Sequence, residues 1–198
     1  VIAITCGLGR AAKMLTDAAA VGADSLLHVQ VDDLGALDSI QIQSILAAAL
    51  GRVGCDVVFC GKQAADTNSG STGPGVALLM GASCVSHVSE VSSDGGSYLA
   101  LRASSSGDER VQVSAPCVFA FDKGSEELRR PNVRGIMMAK KKVIETISPE
   151  DLGVSMNASR VTLVSHSPPP EKPPGQKFEG ADSVATVVGK LRDEANVI

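Results

Sequence analysis

The chain alternates between short apolar runs and longer stretches with helical periodicity. Apolar runs at residues 1–5, 25–31 and 56–60 predict strands. Between them, the Ala-rich stretch 11–21 and the amphipathic stretch 37–53 predict helices, and another helix is predicted over 73–80. This β-α-β-α-β-α order predicts an α/β fold, a three-layer Rossmann-like parallel sheet with helices on both faces.

The pattern changes after residue 83. Short strands separated by Ser/Asp/Gly turns predict a small β-rich insertion at about 84–113, and strands are also expected at 116–121, 143–147 and 161–165. Residues 166–175 are rich in proline and predict a stiff arm, after which 181–195 reads as an amphipathic helix. We therefore expect a nucleotide-binding α/β domain at 1–165 and an arm plus helix at 166–198 that packs on a partner subunit.

Composition excludes several classes of protein. The formal net charge of −4 argues against a nucleic-acid binder, and the sequence has no apolar stretch long enough for membrane insertion. The five cysteines show neither zinc spacing nor a disulfide framework, which favours a reducing compartment. Because the sequence starts inside a predicted core strand, we expect an N-terminal segment of the domain to be missing.

The segment from the third strand to the next helix is the strongest candidate site. Gly61, Gly70 and Gly73 allow close backbone approach, and the following helix N-terminus offers unpaired N–H groups to a phosphate. Ser71 or Thr72 is expected to cap that helix. In the same segment, Lys62 is expected to neutralise phosphate, and Asp66 to accept hydrogen bonds from a ribose or from loop amides. A capped strand–loop–helix junction that binds nothing remains the alternative, because the segment is neither a Walker A loop nor a dinucleotide fingerprint.

No catalytic or metal-binding set emerges from the sequence. The three histidines have no adjacent nucleophile and no ligand partner at useful spacing. We therefore expect no enzymatic bond chemistry and no metal site.

A second unusual segment lies at 129–142. Its Ile-Met-Met run is flanked by arginines and lysines, a combination typical of contact surfaces for an acidic partner. The alternative is a solvated loop whose apolar side chains fold back onto the domain.

Together these segments resemble the β subunit of electron transfer flavoprotein, within the adenine nucleotide α-hydrolase-like superfamily. The resemblance runs from Val1–Gly7 through the Gly-Lys-Gln-Ala-x-Asp loop at 61–66 to the Gly-Ile-Met-x-Ala-Lys-Lys-Lys run at 135–142. It implies a heterodimer with an α subunit that carries redox-active FAD, while the β subunit holds a structural AMP.

The resemblance also implies roles for residues of this chain. The residues implied or considered at the nucleotide are Cys6, Gly61, Lys62, Gln63, Ala64, Asp66, Gly70, Ser71, Thr72 and Gly73. Residues 133–142 would form the recognition loop that docks acyl-CoA dehydrogenases, with Val133 at the position of the family's anchoring Leu. The expected docking residues are Val133, Ile136, Met137, Met138, Lys140 and Lys141.

The sequence departs from the family in several places. The acidic and amide residues after Asp66 are replaced by residues 67–71, Val133 is shorter than the family's anchoring Leu, and Met138 stands where a Lys is common. We also expect the family's leading segment, with its first strand, to be missing. One alternative is therefore a non-catalytic structural subunit of a larger complex with an emptied nucleotide site. Another is a stand-alone adenine-nucleotide sensor. The expected compartment is the mitochondrial matrix for a eukaryotic protein and the cytoplasm for a bacterial one, and a second FAD in place of AMP stays open.

Overall fold

The structure, a computed structural model, describes residues 1–123, 127–156, 159–162, 164–172 and 174–198. The chain divides into two compact units, Val1–Thr162 and Leu163–Ile198. In the first unit, the strands are β1 (Ile2–Gly7), β2 (Ser25–Gln30), β3 (Val57–Gly61), β4 (Ser83–Asp94), β5 (Ser97–Ser104), β6 (Gly107–Ser114), β7 (Cys117–Phe121) and β8 (Glu145–Ile147). The α-helices of this unit are α1 (Ala12–Ala20), α2 (Ser39–Val53), α3 (Thr72–Met80) and α4 (Val133–Ala139).

The strands form two hydrogen-bonded sheets. The first is parallel with the order β1-β2-β8, and the second has the order β3-β7-β4-β5-β6. In the second sheet, β7 pairs in parallel with both β3 and β4, whereas β5 pairs antiparallel with β4 and β6. The α/β fold class with a parallel-rich sheet is confirmed.

Helix α2 carries the chain from the first sheet to the second. Asp38 and Gln41 form a reciprocal capping box at its start, and Gly54 ends it in the left-handed conformation with φ of 67°. On one side of the helix, Ile45 and Ala49 pack on Leu27 and Val29 of β2. Helix α2 thus links the end of β2 in the first sheet to the start of β3 in the second.

The β-rich insertion is the antiparallel part of the second sheet. Strand β4 pairs with β7 up to Val88 and with β5 from Val88 onward, and the register shifts on both sides of this residue. His87 lies at this bulge with φ of +58°. One long strand thus belongs to the parallel layer at its start and to the hairpin insertion at its end.

Two sequence expectations need correction. The segment 133–142, expected to be a loop, begins with helix α4. The described residues 161, 162, 164 and 165 form no strand, and residue 163 of that expected strand lies outside the described residues.

The second unit is simpler. The described residues between 164 and 180 have no regular secondary structure, and helix α5 (Val184–Asp193) follows a single 3-10 turn at Ala181–Ser183. The predicted terminal helix is thus present as α5.

Candidate nucleotide loop and partner-binding helix

The candidate nucleotide loop consists of residues 62–71 and joins the carboxyl end of β3 to α3. Its first half is held by bonds within the loop: Asn68 N–H donates to Ala64 O at 2.9 Å, and Gln63 Nε2 donates to Asn68 Oδ1 at 3.0 Å. The Asp66 carboxylate accepts from the N–H of Thr67 at 2.8 Å. Gln63, Asp66 and Asn68 therefore each make a hydrogen bond within this half of the loop.

The start of α3 has two unpaired backbone N–H groups. Thr72 and Gly73, the first two helical residues, have backbone N–H groups for which the described residues supply no acceptor, and Pro74 has no N–H. Free N–H groups at the positive end of a helix attract anions. This geometry suits a phosphate.

The expected side-chain cap of α3 is wrong. Ser71 occupies the N-cap position, but its side chain makes no capping hydrogen bond, and its hydroxyl lies 3.5 Å from that of Ser69. Thr72 is already inside the helix. No side-chain hydroxyl among the described residues therefore caps the N–H groups of Thr72 and Gly73.

A neighbouring helix fixes the position of this helix start. Gln43 of α2 is buried, and its Nε2 donates to the carbonyl oxygen of Ser71 at 3.0 Å. Any side chain at Gly75 would collide with the Gln43 amide, and a Cβ at Gly73 would lie 2.8 Å from Cys60 Sγ. The small residues of α3 thus permit close packing against both α2 and β3.

Lys62 does not act as a free cation. Its Nζ lies 2.6 Å from Oδ2 of Asp122, at the end of β7, and His87 Nδ1 lies 4.0 Å from the same oxygen. The hydrogen bond from Lys62 holds the pKa of the Asp122 carboxyl below its usual range. The charge expected to neutralise phosphate is therefore already compensated by a carboxylate that sequence reasoning missed.

Cys6 belongs to a different hydrogen-bonded sheet from the strand that leads into the loop. It sits near the carboxyl end of β1 in the first sheet, whereas Gly61 ends β3 in the second sheet. Burial raises the pKa of the Cys6 thiol, so it is protonated at neutral pH. It can contribute packing and a weak hydrogen bond to a ligand but no charge.

Helix α4 presents the expected docking residues. Val133, Met137 and Met138 are 75%, 60% and 54% exposed, and Ile136 is 41% exposed. Lys140 and Lys13 stand on the rim of an adjoining groove of about 610 Å³ between α1 and α4. These exposed residues form an apolar surface with a cationic rim, as contact surfaces often do.

The same helix is tightly anchored to the domain. Asn132 caps it by accepting from the N–H of Gly135 at 2.7 Å, and a Cβ at Gly135 would lie 2.5 Å from the carbonyl oxygen of Ala20 in α1. Arg129 Nη1 donates to Val21 O at 3.2 Å, and Lys142 Nζ donates to Asp24 O at 3.1 Å. Two of the cationic residues therefore hold the segment in place, while Lys140 and Lys141 are left at its end.

Known proteins resemble this chain over nearly its whole length. The family model described as electron transfer flavoprotein domain matches residues 1–152. The β subunit of human electron transfer flavoprotein is 32% identical over 195 residues, which cover 98% of this chain and 75% of that protein. The β subunit from Mycobacterium bovis is 30% identical over 184 residues, which cover 89% of this chain and 69% of that protein. The chain belongs to the electron transfer flavoprotein β-subunit family.

The electron transfer flavoprotein domain match includes both candidate surfaces. The loop at 62–71 and helix α4 both lie within residues 1–152, whereas the arm and α5 lie beyond them. The sequence resemblance had pointed to both surfaces. It had not indicated Asp122 or Gln43. Asp122 contacts Lys62, 60 positions away, and Gln43 contacts Ser71, 28 positions away.

The described residues contain neither a membrane-spanning helix nor a metal-binding cluster. None of its helices is long and apolar enough to cross a membrane. Across the same residues, no group of three or more His, Cys, Asp or Glu side chains is placed to hold a metal ion.

Proposed function

We propose that this chain is the β subunit of an electron transfer flavoprotein heterodimer, which binds AMP structurally and docks dehydrogenases. Electrons would then pass through FAD, held mainly by an α subunit, towards a quinone reductase. The observation that carries the proposal is the family match over residues 1–152, joined by curated relatives named as β subunits. In this function the chain supplies architecture and recognition, and the flavin supplies the redox chemistry.

The free end of α3 supports the AMP part of the proposal. The N–H groups of Thr72 and Gly73 would hold the phosphate, while Gly61 and Gly70 allow the loop backbone to lie close to the nucleotide. Gly70 has a φ of +60°, a conformation that glycine adopts without strain. The remaining contacts would come from Cys6 and from the 63–66 half of the loop.

The exposed face of α4 supports the docking part. Acyl-CoA dehydrogenase-type donors would bury Val133, Ile136, Met137 and Met138, with Lys140 and Lys141 at the rim. Flexible methionines suit a surface that meets several partners. The lysines would steer a partner with acidic groups and make its association rate depend on salt.

Reconstitution tests this function. The chain is co-expressed with an electron transfer flavoprotein α subunit, the complex is isolated by size exclusion, and an absorbance scan reports its flavin. Acid extraction followed by chromatography identifies any nucleotide. We expect a one-to-one complex that contains FAD and AMP; a chain that binds neither an α subunit nor a nucleotide would refute the proposal.

The second candidate is a structural subunit with an emptied nucleotide site. The pairing of Lys62 with Asp122 and the bonds within residues 63–68 favour it, because they use up groups that a nucleotide would need. The two functions differ in one readout. A structural subunit forms the complex with α but releases no AMP on acid extraction, even after incubation with excess AMP.

A further inference from the structure

The cations of this chain are concentrated in one segment. Six of its 18 Lys and Arg residues lie at 129–142, and this segment contains no Asp or Glu, although the whole chain has a formal net charge of −4. Electrostatic attraction to a surface is screened over about 8 Å at physiological salt, so the nearby cations count for more than distant carboxylates. The segment can therefore attract an anionic surface even though the chain as a whole is acidic.

Four of these cations have no counter-charge. Within the described part of the chain, no carboxylate lies within ion-pair distance of the exposed residues Arg130, Arg134, Lys140 and Lys141. Lys62 differs from them, since Asp122 compensates its charge. The positive charge around α4 is thus left for a partner to neutralise.

Apolar side chains are exposed among these cations. Val133 and Met137 lie one helical turn apart on the same side of α4, and they are 75% and 60% exposed. Gly135 and Ala139 form the opposite side of the helix, which packs on α1. We call the outward side of α4, together with the four uncompensated cations, the basic face.

Hydrogen bonds at both ends of the segment hold the basic face outward. Arg129 donates to Val21 O, and Lys142 donates to Asp24 O, so the chain is fastened to the region after α1 on either side of α4. Turning the helix to bury its exposed apolar side chains would break these contacts. Their burial therefore requires a surface outside the domain.

The composition of the basic face matches an anionic lipid surface. Clusters of Lys and Arg next to a helix with exposed apolar side chains bind anionic membranes. The cations meet the lipid headgroups, while the apolar side chains enter the boundary between headgroups and acyl chains. Since the four cations are spread over residues 130–141, a fluid surface can meet all of them at whatever spacing they adopt.

We infer that the basic face adsorbs to membranes that contain anionic lipids, with α4 lying in the plane of the surface. Adsorption of this kind needs no spanning helix. It would compete with the proposed docking of dehydrogenases, because both use the same side of α4. The inference does not depend on the proposed function, since vesicle binding is measured without nucleotide, α subunit or dehydrogenase.

Vesicle sedimentation tests the inference. The 198-residue chain is mixed with vesicles of pure phosphatidylcholine, or with vesicles in which about one lipid in three is phosphatidylserine. Each uncompensated cation near an anionic surface strengthens binding about fivefold. We therefore expect a preference of about a hundredfold or more for the anionic vesicles, and we expect added salt to reduce it.

Charge-matched variants locate the binding surface. Lys140→Gln combined with Lys141→Gln should weaken binding to anionic vesicles about 25-fold. Arg110→Gln combined with Lys177→Gln is the control, because it removes the same charge from exposed residues outside the segment. The control pair should change binding by less than about twofold, since its charges lie away from the basic face.

An introduced indole tests whether apolar side chains enter the lipid. The chain has no Trp, so Met137→Trp reports on one position only. With anionic vesicles we expect its emission to shift to shorter wavelength and to be quenched by brominated lipid. Leu78→Trp, at an 81% exposed position on α3, is the control and should show neither effect. Val133→Trp provides a second probe of the basic face if circular dichroism shows that Met137→Trp is misfolded.

Three outcomes would overturn the inference. The first is that the chain sediments with neither vesicle type, or with both equally. The second is that the two double variants weaken binding to the same extent, which would assign binding to the overall charge of the molecule. The third is binding to soluble heparin as tight as to vesicles, with unshifted emission from Met137→Trp, which would identify a polyanion site instead of a lipid surface.

Discussion

Lys62 and Asp122 show how one contact changes the chemistry of the candidate loop. Their ion pair compensates the lysine charge at the start of the loop. We predict that Asp122→Asn strengthens AMP binding by roughly threefold to tenfold at low salt, because Lys62 is released to meet the phosphate. Calorimetric titration at two salt concentrations checks this, and an unchanged affinity would show that Lys62 plays no part in binding.

Gln43 ties the end of the loop to helix α2. Gln43→Met keeps a similar volume but removes the donor to Ser71 O, while the N–H of Gly75 still satisfies that oxygen at 2.9 Å. We predict a loss of about 0.5–1.5 kcal/mol in the free energy of unfolding, measured by urea denaturation. AMP affinity should also fall, since the helix start is held less firmly. A variant with unchanged stability and affinity would contradict this role.

At the scale of elements, α4 depends on a single small residue. Gly135→Val would press a branched side chain against the Ala20 carbonyl of α1. We predict destabilisation by about 1–3 kcal/mol and weaker dehydrogenase docking as α4 shifts. Gly51→Ala is the control: it lies in α2 with open space around it and should stabilise by about 0.5–1 kcal/mol. Equal effects of the two changes on unfolding would rule out this explanation.

Val133, the first residue of α4, is exposed and allows a test of docking. Val133 is 75% exposed and occupies the position of a leucine anchor implied by the family resemblance. Val133→Leu adds one methylene, worth about 0.8 kcal/mol if buried by a partner, and should tighten dehydrogenase binding about fourfold. Val133→Asp should abolish measurable binding in the same surface plasmon resonance assay while leaving the unfolding midpoint unchanged. If both variants bind like the parent, the docking surface lies elsewhere.

At the scale of the whole molecule, several carboxylates link stability to pH. Hydrogen bonds from the backbone N–H groups of Arg160 and Gln41 lower the pKa of the Asp38 carboxyl. A hydrogen bond from the backbone N–H of Ser148 likewise lowers the pKa of the Asp151 carboxyl. Because these folded pKa values lie below the unfolded value of about 3.9, the unfolded state takes up protons first as pH falls. The stabilisation is thus complete above the unfolded value and is lost as pH falls from there through the lower folded pKa values.

We therefore predict a urea midpoint that stays level between about pH 6 and 8 and falls steeply below about pH 4. Asp38→Asn should flatten part of this acid limb, since Asn still caps α2 but cannot be protonated. An acid limb that is identical in the variant would exclude Asp38 as a contributor.

Most of the fold could be predicted from the sequence, because most elements are specified by the residue pattern within their own segment. The alternation of apolar runs with helical periodicity predicted β1 to β3 and α1 to α3, because each element has its own pattern. Helix α4 was missed since it is short, cationic at both ends and interrupted by Gly135, whose role depends on Ala20 more than a hundred residues away. The Lys62–Asp122 pair was beyond prediction, because it depends on which strands become neighbours.

The tight turn between β4 and β5 has a practical consequence. Gly95 and Gly96 both have positive φ, and a Cβ at either one would meet open space. The register shift near Val88 separates this hairpin from the parallel layer that carries the loop. A fluorophore or short epitope inserted at this turn would therefore report on assembly and ligand uptake in living cells without altering any surface proposed to take part in them.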